Sequence, residues 1–452
     1  MGVLIGGLLL TSSAEAQTAF GEERLITANV EYPRSVYATD LDGDGDKDVL
    51  SASYFDDKVA WYENDGVGNF GEQQVIANGD GSNFVGAADL DGDGDKDVLS
   101  AFYLDDKIVW YENDGVGNFG EQRIITMEAD GIRTFYVSDL DGDGDKDVLS
   151  ASYLDDKIAW YENDGIGNFG EQRIISSTTN GAQQVYATDL DGDGDKDVLS
   201  ASYLDDKIVW YENDGVGNFS LPYIISVVDR VIDVAATDLD GDGDRDVLCI
   251  SNRDDRIYWY KNNGNGGFGN QRLVGFSAES QDIDVVDLDN DGDMDVLSSF
   301  EFDNKIVLFA NDGSGNFEYQ QIIENAIMFS QLVHTADLDN DGDMDILSFS
   351  LNNTSNNDNI VWYENLLPPI GINTVNSSSM TVFYCYPNPT NTHLSIQQAT
   401  NEPAFYTLYN AVGQLVATGT FSGATHTFSV AHLPSGWYYL EVNGEHFNII
   451  KE

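Results

Sequence analysis

The sequence predicts an all-β protein: a seven-bladed β-propeller closed by an N-terminal strand and followed by a small β-sandwich. Three observations carry that expectation. A unit of about 50 residues recurs seven times along the 452-residue chain. Each unit holds four short segments rich in branched and aromatic residues, divided by Asn, Asp and Gly turns. No stretch sustains the 3.6-residue periodicity of an amphipathic helix.

The period is read from an acidic loop, "DLDGDGDKD" in its commonest form. Its first residue falls at Asp40, Asp89, Asp139, Asp189, Asp238, Asp287 and Asp337, at intervals of 49, 50, 50, 49, 49 and 50. The fourth unit shows the pattern: "QVYATDL" before the loop, then "DVLSASY" and "KIVWYEN" after it. "FGEQRIIS" stands at the fourth position in the unit before it. Four strands per repeat fit one small sheet per blade. The ends of the array decide between a closed ring and an open solenoid. The last unit stops at "NIVWYENL" without a fourth segment, while an orphan "FGEERLI" at Phe20 to Ile26 copies "FGEQRII" at Phe169 to Ile175. A ring closed by the N-terminal segment explains that division; a solenoid has no reason for it.

Within the first loop, Asp40, Asp42, Asp44 and Asp48 stand at positions 1, 3, 5 and 9, with Gly45 at 6 and Asp46 at 7. Carboxylates at alternating positions around a Gly turn, with a backbone carbonyl at 7, can wrap one hard cation such as calcium. The corresponding residues are Asp89, Asp91, Asp93, Asp95 and Asp97; Asp139, Asp141, Asp143, Asp145 and Asp147; and Asp189, Asp191, Asp193, Asp195 and Asp197. The last three loops supply Asp238, Asp240, Asp242, Asp244 and Asp246; Asp287, Asp289, Asp291, Asp293 and Asp295; and Asp337, Asp339, Asp341, Asp343 and Asp345. Position 12, where an EF-hand carries a bidentate Glu, is Ser51, and strands flank the loop, so these are not EF-hands.

From Phe20 to Leu366 the repeat resembles the FG-GAP or VCBS type found in integrin α-chain propellers and many secreted bacterial proteins. That resemblance implies about one calcium ion per blade, up to seven. The ligands it implies are the side chains at positions 1, 3, 5 and 9 and the carbonyl at 7, as with Asp46 in the first loop.

The domain boundaries expected are a signal peptide at 1–16, the propeller at 17–366, a linker at 367–383 and the small sandwich at 384–452. The leader rests on an apolar run from Val3 to Leu10 followed by Ala14-Glu15-Ala16, with cleavage after Ala16; its first residues lack Lys and Arg. The run is far shorter than the roughly 20 apolar residues of a membrane span, so no transmembrane segment is expected. The linker "LLPPIGINTVNSSSM" is rich in Pro, Ser and Asn. Residues 384 to 452 carry "YPNPTNTHLSIQ", "YTLYNAVGQLVATG" and "LPSGWYYLEV" and end near Lys451. They resemble the C-terminal sorting domain of the Bacteroidetes type IX secretion system. That implies export through this machinery and a secreted or outer-membrane surface-attached protein.

Composition narrows the partners. With 79 acidic and 21 basic residues the formal charge is -58, which makes nucleic acid and anionic membranes poor partners. The hydrophobic fraction of 41% is too high for a disordered acidic tail. Two cysteines, Cys249 and Cys385, in different domains rule out a disulfide framework.

No nucleophile elbow, phosphate-binding Gly loop or His-based zinc motif is present. The one propeller histidine, His334, occupies a slot filled elsewhere by Tyr37, Gly86, Tyr136, Tyr186, Ala235 and Asp284. That slot should lie on the innermost strand near the central channel. Trp61, Trp110, Trp160, Trp210, Trp259 and Trp362 sit mid-blade, where neighbours cover both faces, so they are expected to pack between blades.

The connections from each fourth strand to the next blade vary in length and chemistry: Ala77 to Asn83, Met127 to Arg133, Ser176 to Gln183, Val227 to Arg230, Phe276 to Gln281 and Glu324 to Gln331. They should emerge opposite the acidic loops, beside the "DDK" turns, where binding sites concentrate; drift explains the same variability. The functional expectation is a calcium-binding, non-enzymatic module for adhesion to a glycan or extracellular protein. The alternatives are an extracellular polysaccharide lyase or hydrolase, which a carboxylate cluster with His334 at the channel mouth would favour, and a surface-layer scaffold.

Overall fold

The computed structural model describes residues 20–276, 280–301, 304–317, 319–324, 332–351 and 358–366 of the repeat region. Beyond it, residues 383–386, 392–398, 404–410, 415–422, 425–442 and 445–451 are described. The leader and linker expected above lie outside these residues, except that Phe383, expected as the linker's last residue, opens a strand. Contacts divide the chain into two compact units, Phe20–Asn365 and the segment from Leu366 onward.

The first unit is seven four-stranded antiparallel sheets. In blade three the strands run Ile132–Ser138, Asp147–Ser152, Lys157–Tyr161 and Arg173–Ser176, paired in sequence order from the axis outward. The second strand, "DVLSAS", is buried at every position because blades cover both its faces. The outermost strand is exposed at Arg173 and Ile174 and begins after the Phe169 segment, which touches Asn163 only by an isolated bridge.

The ring closes as the sequence predicts. Arg24–Val30 pairs antiparallel with Asp358–Tyr363, giving the seventh sheet the order N-terminal strand, third, second, innermost. Phe20 bridges Asn365 just as Phe70 bridges Asn64 in blade one. Apolar clusters then form between neighbouring sheets; one joins Leu149, Trp160 and Ile158 of blade three to Val198, Val209 and Tyr211 of blade four. A ring of this kind leaves no sheet edge open where its ends meet.

The second unit is also all β. One sheet holds Phe383–Tyr386, His393–Gln398 and Thr425–Ser429. The other runs Leu415–Phe421, Ala404–Asn410, Gly436–Val442, Glu445–Lys451. Leu394 and Ile396 of the first sheet pack with Leu408, Leu440 and Val442 of the second, the single core of a small sandwich.

Candidate functional site

Each acidic loop joins the innermost strand of a blade to the second. Asp48, at position 9, is fully buried; its Oδ2 accepts the Leu41 N–H at 3.0 Å and its Oδ1 the Asn64 N–H at 2.9 Å. Asp40 accepts the N–H of Gly43 at 2.8 Å and of Gly45 at 3.1 Å. Gly45 turns with φ of 101°, a region closed to side chains, which is why position 6 is Gly. These bonds bring carboxylate oxygens of Asp40, Asp42 and Asp48 within 4.8 Å of one another. The same grouping forms at Asp89, Asp91, Asp97; Asp139, Asp141, Asp147; Asp189, Asp191, Asp197; and Asp238, Asp240, Asp246.

Three clustered carboxylates repel, and burial makes ionisation harder still. Burial pushes Asp48, Asp97, Asp147, Asp197 and Asp345 up to about 7. Asp246 is raised to about 6 and Asp295 to about 8 by the same cause. At position 3, a buried oxygen of Asp91, Asp141, Asp240 and Asp339 has no hydrogen-bond partner, and one of Asp287 and Asp337 at position 1 is left the same way. A buried, orphaned carboxylate oxygen is costly. A hard cation at the centre of the oxygen cluster satisfies it and offsets the repulsion. The residues at positions 1, 3 and 9 therefore fit a metal ion.

The other two acidic positions behave differently. Asp44 lies exposed at the loop tip and accepts the Asp46 N–H at 2.9 Å, outside the three-carboxylate grouping. Asp46 turns its carboxylate away, so closely against Gly66 of the same blade that a Cβ there would collide with it; Asp95 and Gly115, and on to Asp293 and Gly313, repeat the contact. The seventh loop departs from this. Its blade takes its outermost strand from the N-terminus, Leu366-Leu367 stands in sequence where the other blades have the Asp-Gly or Asn-Gly of that turn, and Asp343 is 2% exposed with both oxygens unpartnered. Burial, then the charges of Asp341 and Asp345, push it up to about 8.

One residue type escaped the sequence reading. The Asn that follows the third strand is buried in every blade, and its Nδ2 bridges two neighbouring acidic loops. Asn163 donates to the Leu90 carbonyl of the preceding blade at 2.7 Å and to the Lys146 carbonyl of its own at 3.0 Å. Asn64 reaches Leu338 and Asn365 reaches Leu288, so the latch runs round the ring. The signal was its recurrence after Trp-Tyr-Glu in five units. The tryptophans beside it are core, as expected: all six are at most 5% exposed. Trp110 packs on Gly167 of the next blade, where a Cβ would collide with the ring.

On the opposite face the "DDK" turns brace the variable connections. Asp56, Asp105, Asp155 and Asp205 pair with the Lys two residues on. The second Asp adopts positive φ, and its carboxylate accepts the N–H of Gly81, Gly131, Gly181 or Arg230 at 2.8–3.0 Å. Those aspartates are occupied holding the connections in place.

A channel of about 630 Å³ runs along the axis, and the slot of Tyr37, Gly86, Tyr136, Tyr186, Ala235, Asp284 and His334 lines it. His334 stacks on Tyr37 at 5.1 Å between centroids; burial lowers its pKa and the Asp284 charge opposes that. Two further carboxylates, Asp233 and Asp282, line the channel and were not singled out from sequence. All three brace neighbouring innermost strands: Asp233 accepts the Ile283 N–H, Asp282 the Val333 N–H and Asp284 the Thr335 N–H, at 2.8–3.0 Å. Burial first, and then the neighbouring Asp233 charge, hold Asp282 well above the usual carboxylate range.

Fold and loops together define a closed repeat propeller with an acidic, cation-competent loop in each blade, followed by a separate β unit. Six FG-GAP-like repeats match across residues 40–348, so the chain belongs to the FG-GAP-like repeat family. Residues 384–452 match the secretion system C-terminal sorting domain, which directs the protein through type IX secretion to the cell surface or the extracellular space. Among the described residues, no helix is long and apolar enough to cross a membrane. No curated protein matches the chain.

Solved structures share the fold at low identity. A lectin of Agrocybe aegerita, described as recognising non-reducing terminal N-acetylglucosamine, is 21% identical with a TM-score of 0.52 over 66% of this chain and 82% of its own. BBS1N, in its complex with ARL6DN, is 9% identical with a TM-score of 0.55 over 78% and 97%.

Proposed function

We propose that this is a secreted or surface-attached recognition module whose acidic loops bind calcium and whose opposite face binds a glycan or an extracellular protein, without turnover. Calcium would be held by the side chains at positions 1, 3 and 9, joined by the Asp at 5 and the carbonyl at 7, up to seven ions in all. The ion stiffens the loops that the Asn latches tie together; it takes no part in chemistry. The leader at 1–16 serves the first export step.

The observation that carries the reading is the division of labour between the two faces. One face repeats the same acidic loop in every blade, while the other keeps its braces and changes its connections. The test is binding of the full chain to an array of glycans and extracellular proteins, in calcium and again in chelator. N-acetylglucosamine-terminated glycans belong among the first probes. A calcium-dependent hit supports the module, and a blank in both conditions contradicts it.

A second reading, an extracellular polysaccharide lyase or hydrolase, is favoured by His334 beside Asp284 in the channel. The three channel carboxylates, however, are committed to backbone N–H groups, and a general base must be free to take a proton. Release of reducing ends or unsaturated sugar from a polysaccharide panel would favour this reading over the first.

A further inference from the structure

Four arginines of this propeller have an acidic partner. Arg24, Arg123 and Arg173 lie over Trp362, Trp110 and Trp160 at 4.6–4.7 Å, and each pairs with a glutamate, Glu364, Glu112 or Glu162. Arg253 pairs with Asp229. Among the described residues Arg133 has no such partner and is held between two rings instead. It stands at the start of an innermost strand, at the channel mouth opposite the acidic loops, with its guanidinium between Tyr103 at 5.0 Å and Tyr153 at 4.8 Å. No carboxylate among the described residues forms an ion pair with it, and its Nε is buried without a hydrogen-bond partner. In a chain with 58 excess negative charges, a half-buried cation left without an acid is an open position.

Its surroundings indicate what fills that position. Arg34 lines the same recess, of about 100 Å³, together with the amides of Asn83, Gln183 and Gln281. Burial and then the Arg34 charge lower the Arg133 pKa, so the two guanidinium groups feel one another. Tyrosine rings continue the rim: Tyr32 to Tyr54 at 6.3 Å, Tyr54 to Tyr103 at 6.2 Å and Tyr153 to Tyr203 at 6.4 Å. Outside them Phe55, Leu104, Leu154 and Leu204 are 52–65% exposed. Asp233 and Asp282 line the floor, where they hold the Ile283 and Val333 N–H groups.

We infer that this mouth is the ligand site, and that it takes a sugar residue bearing a carboxylate, set among neutral sugars. The carboxylate meets the planar fork of Arg133, which matches it with two parallel hydrogen bonds. The C–H faces of the pyranose rings lie on the tyrosines, and the hydroxyls meet the amides. A densely charged polyanion is disfavoured by the field of the whole chain, whereas an isolated acidic sugar is not. The inference rests on the glycan reading proposed above and specifies its site and ligand class.

The test is calorimetric titration of the full chain, in calcium, with three probes. These are a hyaluronan hexasaccharide, in which glucuronate alternates with N-acetylglucosamine; the neutral N-acetylglucosamine hexamer; and a glutamate-bearing peptide. The hyaluronan hexasaccharide is expected to bind at least about tenfold tighter than the neutral hexamer, and Arg133→Met to remove that advantage, by the loss of one charge-assisted pair. Arg133→Met should keep the wild-type melting temperature. Should it fail to fold, Arg133→Lys, which keeps the charge and loses the fork, is expected to weaken the acidic probe alone. Equal binding of both saccharides, unchanged by the variant, overturns the acidic-sugar assignment and leaves the glycan reading standing. Arg133-dependent binding of the peptide and of neither saccharide overturns both. Failure of all three probes to bind overturns the site.

Discussion

The two faces of the propeller are built by the same repeat under different constraints. On the acidic-loop face, Asp40, Asp48 and Asn64 recur with their partners in blade after blade. Every one of their contacts is to a loop that must match a cation or a neighbouring latch. On the opposite face the braces recur, Asp57 to Gly81 or Asp206 to Arg230, with the tyrosines that precede them, while the connections they hold in place are free to change. Repetition therefore marks what closes and stiffens the ring, and departure from repetition marks what is presented to a partner. Arg133 is such a departure.

The comparison can be tested by its energetics, beginning with the ions. Metal that binds only the folded chain adds about 2.7 kcal/mol per site at a hundredfold excess over Kd. Chelation is expected to lower the propeller melting temperature by more than about 10 °C, with poor rescue by magnesium, in a calorimetric scan of the full chain. Asn163→Ala removes a latch and leaves two buried carbonyls short of a donor, and should cost about 2–4 kcal/mol in chemical unfolding. Gly117→Ala forces a side chain into φ of 76° and against Trp61, for about 1–3 kcal/mol by the same measurement. On the other face Leu154→Ala, at 56% exposed, should change stability by less than about 0.5 kcal/mol.

Acidity separates the metal-free and metal-bound forms. Asp48, Asp97, Asp147 and Asp197 are raised to about 7 in the folded chain from an ordinary carboxylate value of 3.8. The folded state then holds more protons than the unfolded state between those values, so stability is highest below the lower one and is lost as pH rises through the upper. In chelator, the melting temperature is expected to rise as pH falls from about 7.5 to 5.5. In calcium the trend should reverse, because protons compete with the ion for the same oxygens. A like trend in both solutions would show that no ion occupies the loops.

The fold was legible because the repeat states it twice, in period and in the split unit. Phe20 to Ile26 copies an internal strand, and only closure explains where the copy stands. The cluster at positions 1, 3 and 9 was legible in residue type, but spacing alone does not say where a side chain turns. The contact of Asp46 with Gly66 depends on a second turn some 20 residues on. Asn64 was legible in principle, since it recurs in each unit, although its partner lies 274 residues away in Leu338. The channel was least legible. Asp233 reaches Ile283 and Asn83 reaches Arg133, each 50 residues apart, so their meeting follows from ring geometry and from no local pattern.

The central claim is that each blade carries a calcium ion on the face that repeats. The direct measurement is the number of calcium ions bound per full chain, by equilibrium dialysis and atomic emission in excess magnesium. The account predicts close to seven, falling by one when Asp189 and Asp191 are both replaced by Asn. A value near zero, or one unchanged by that pair of substitutions, would contradict it.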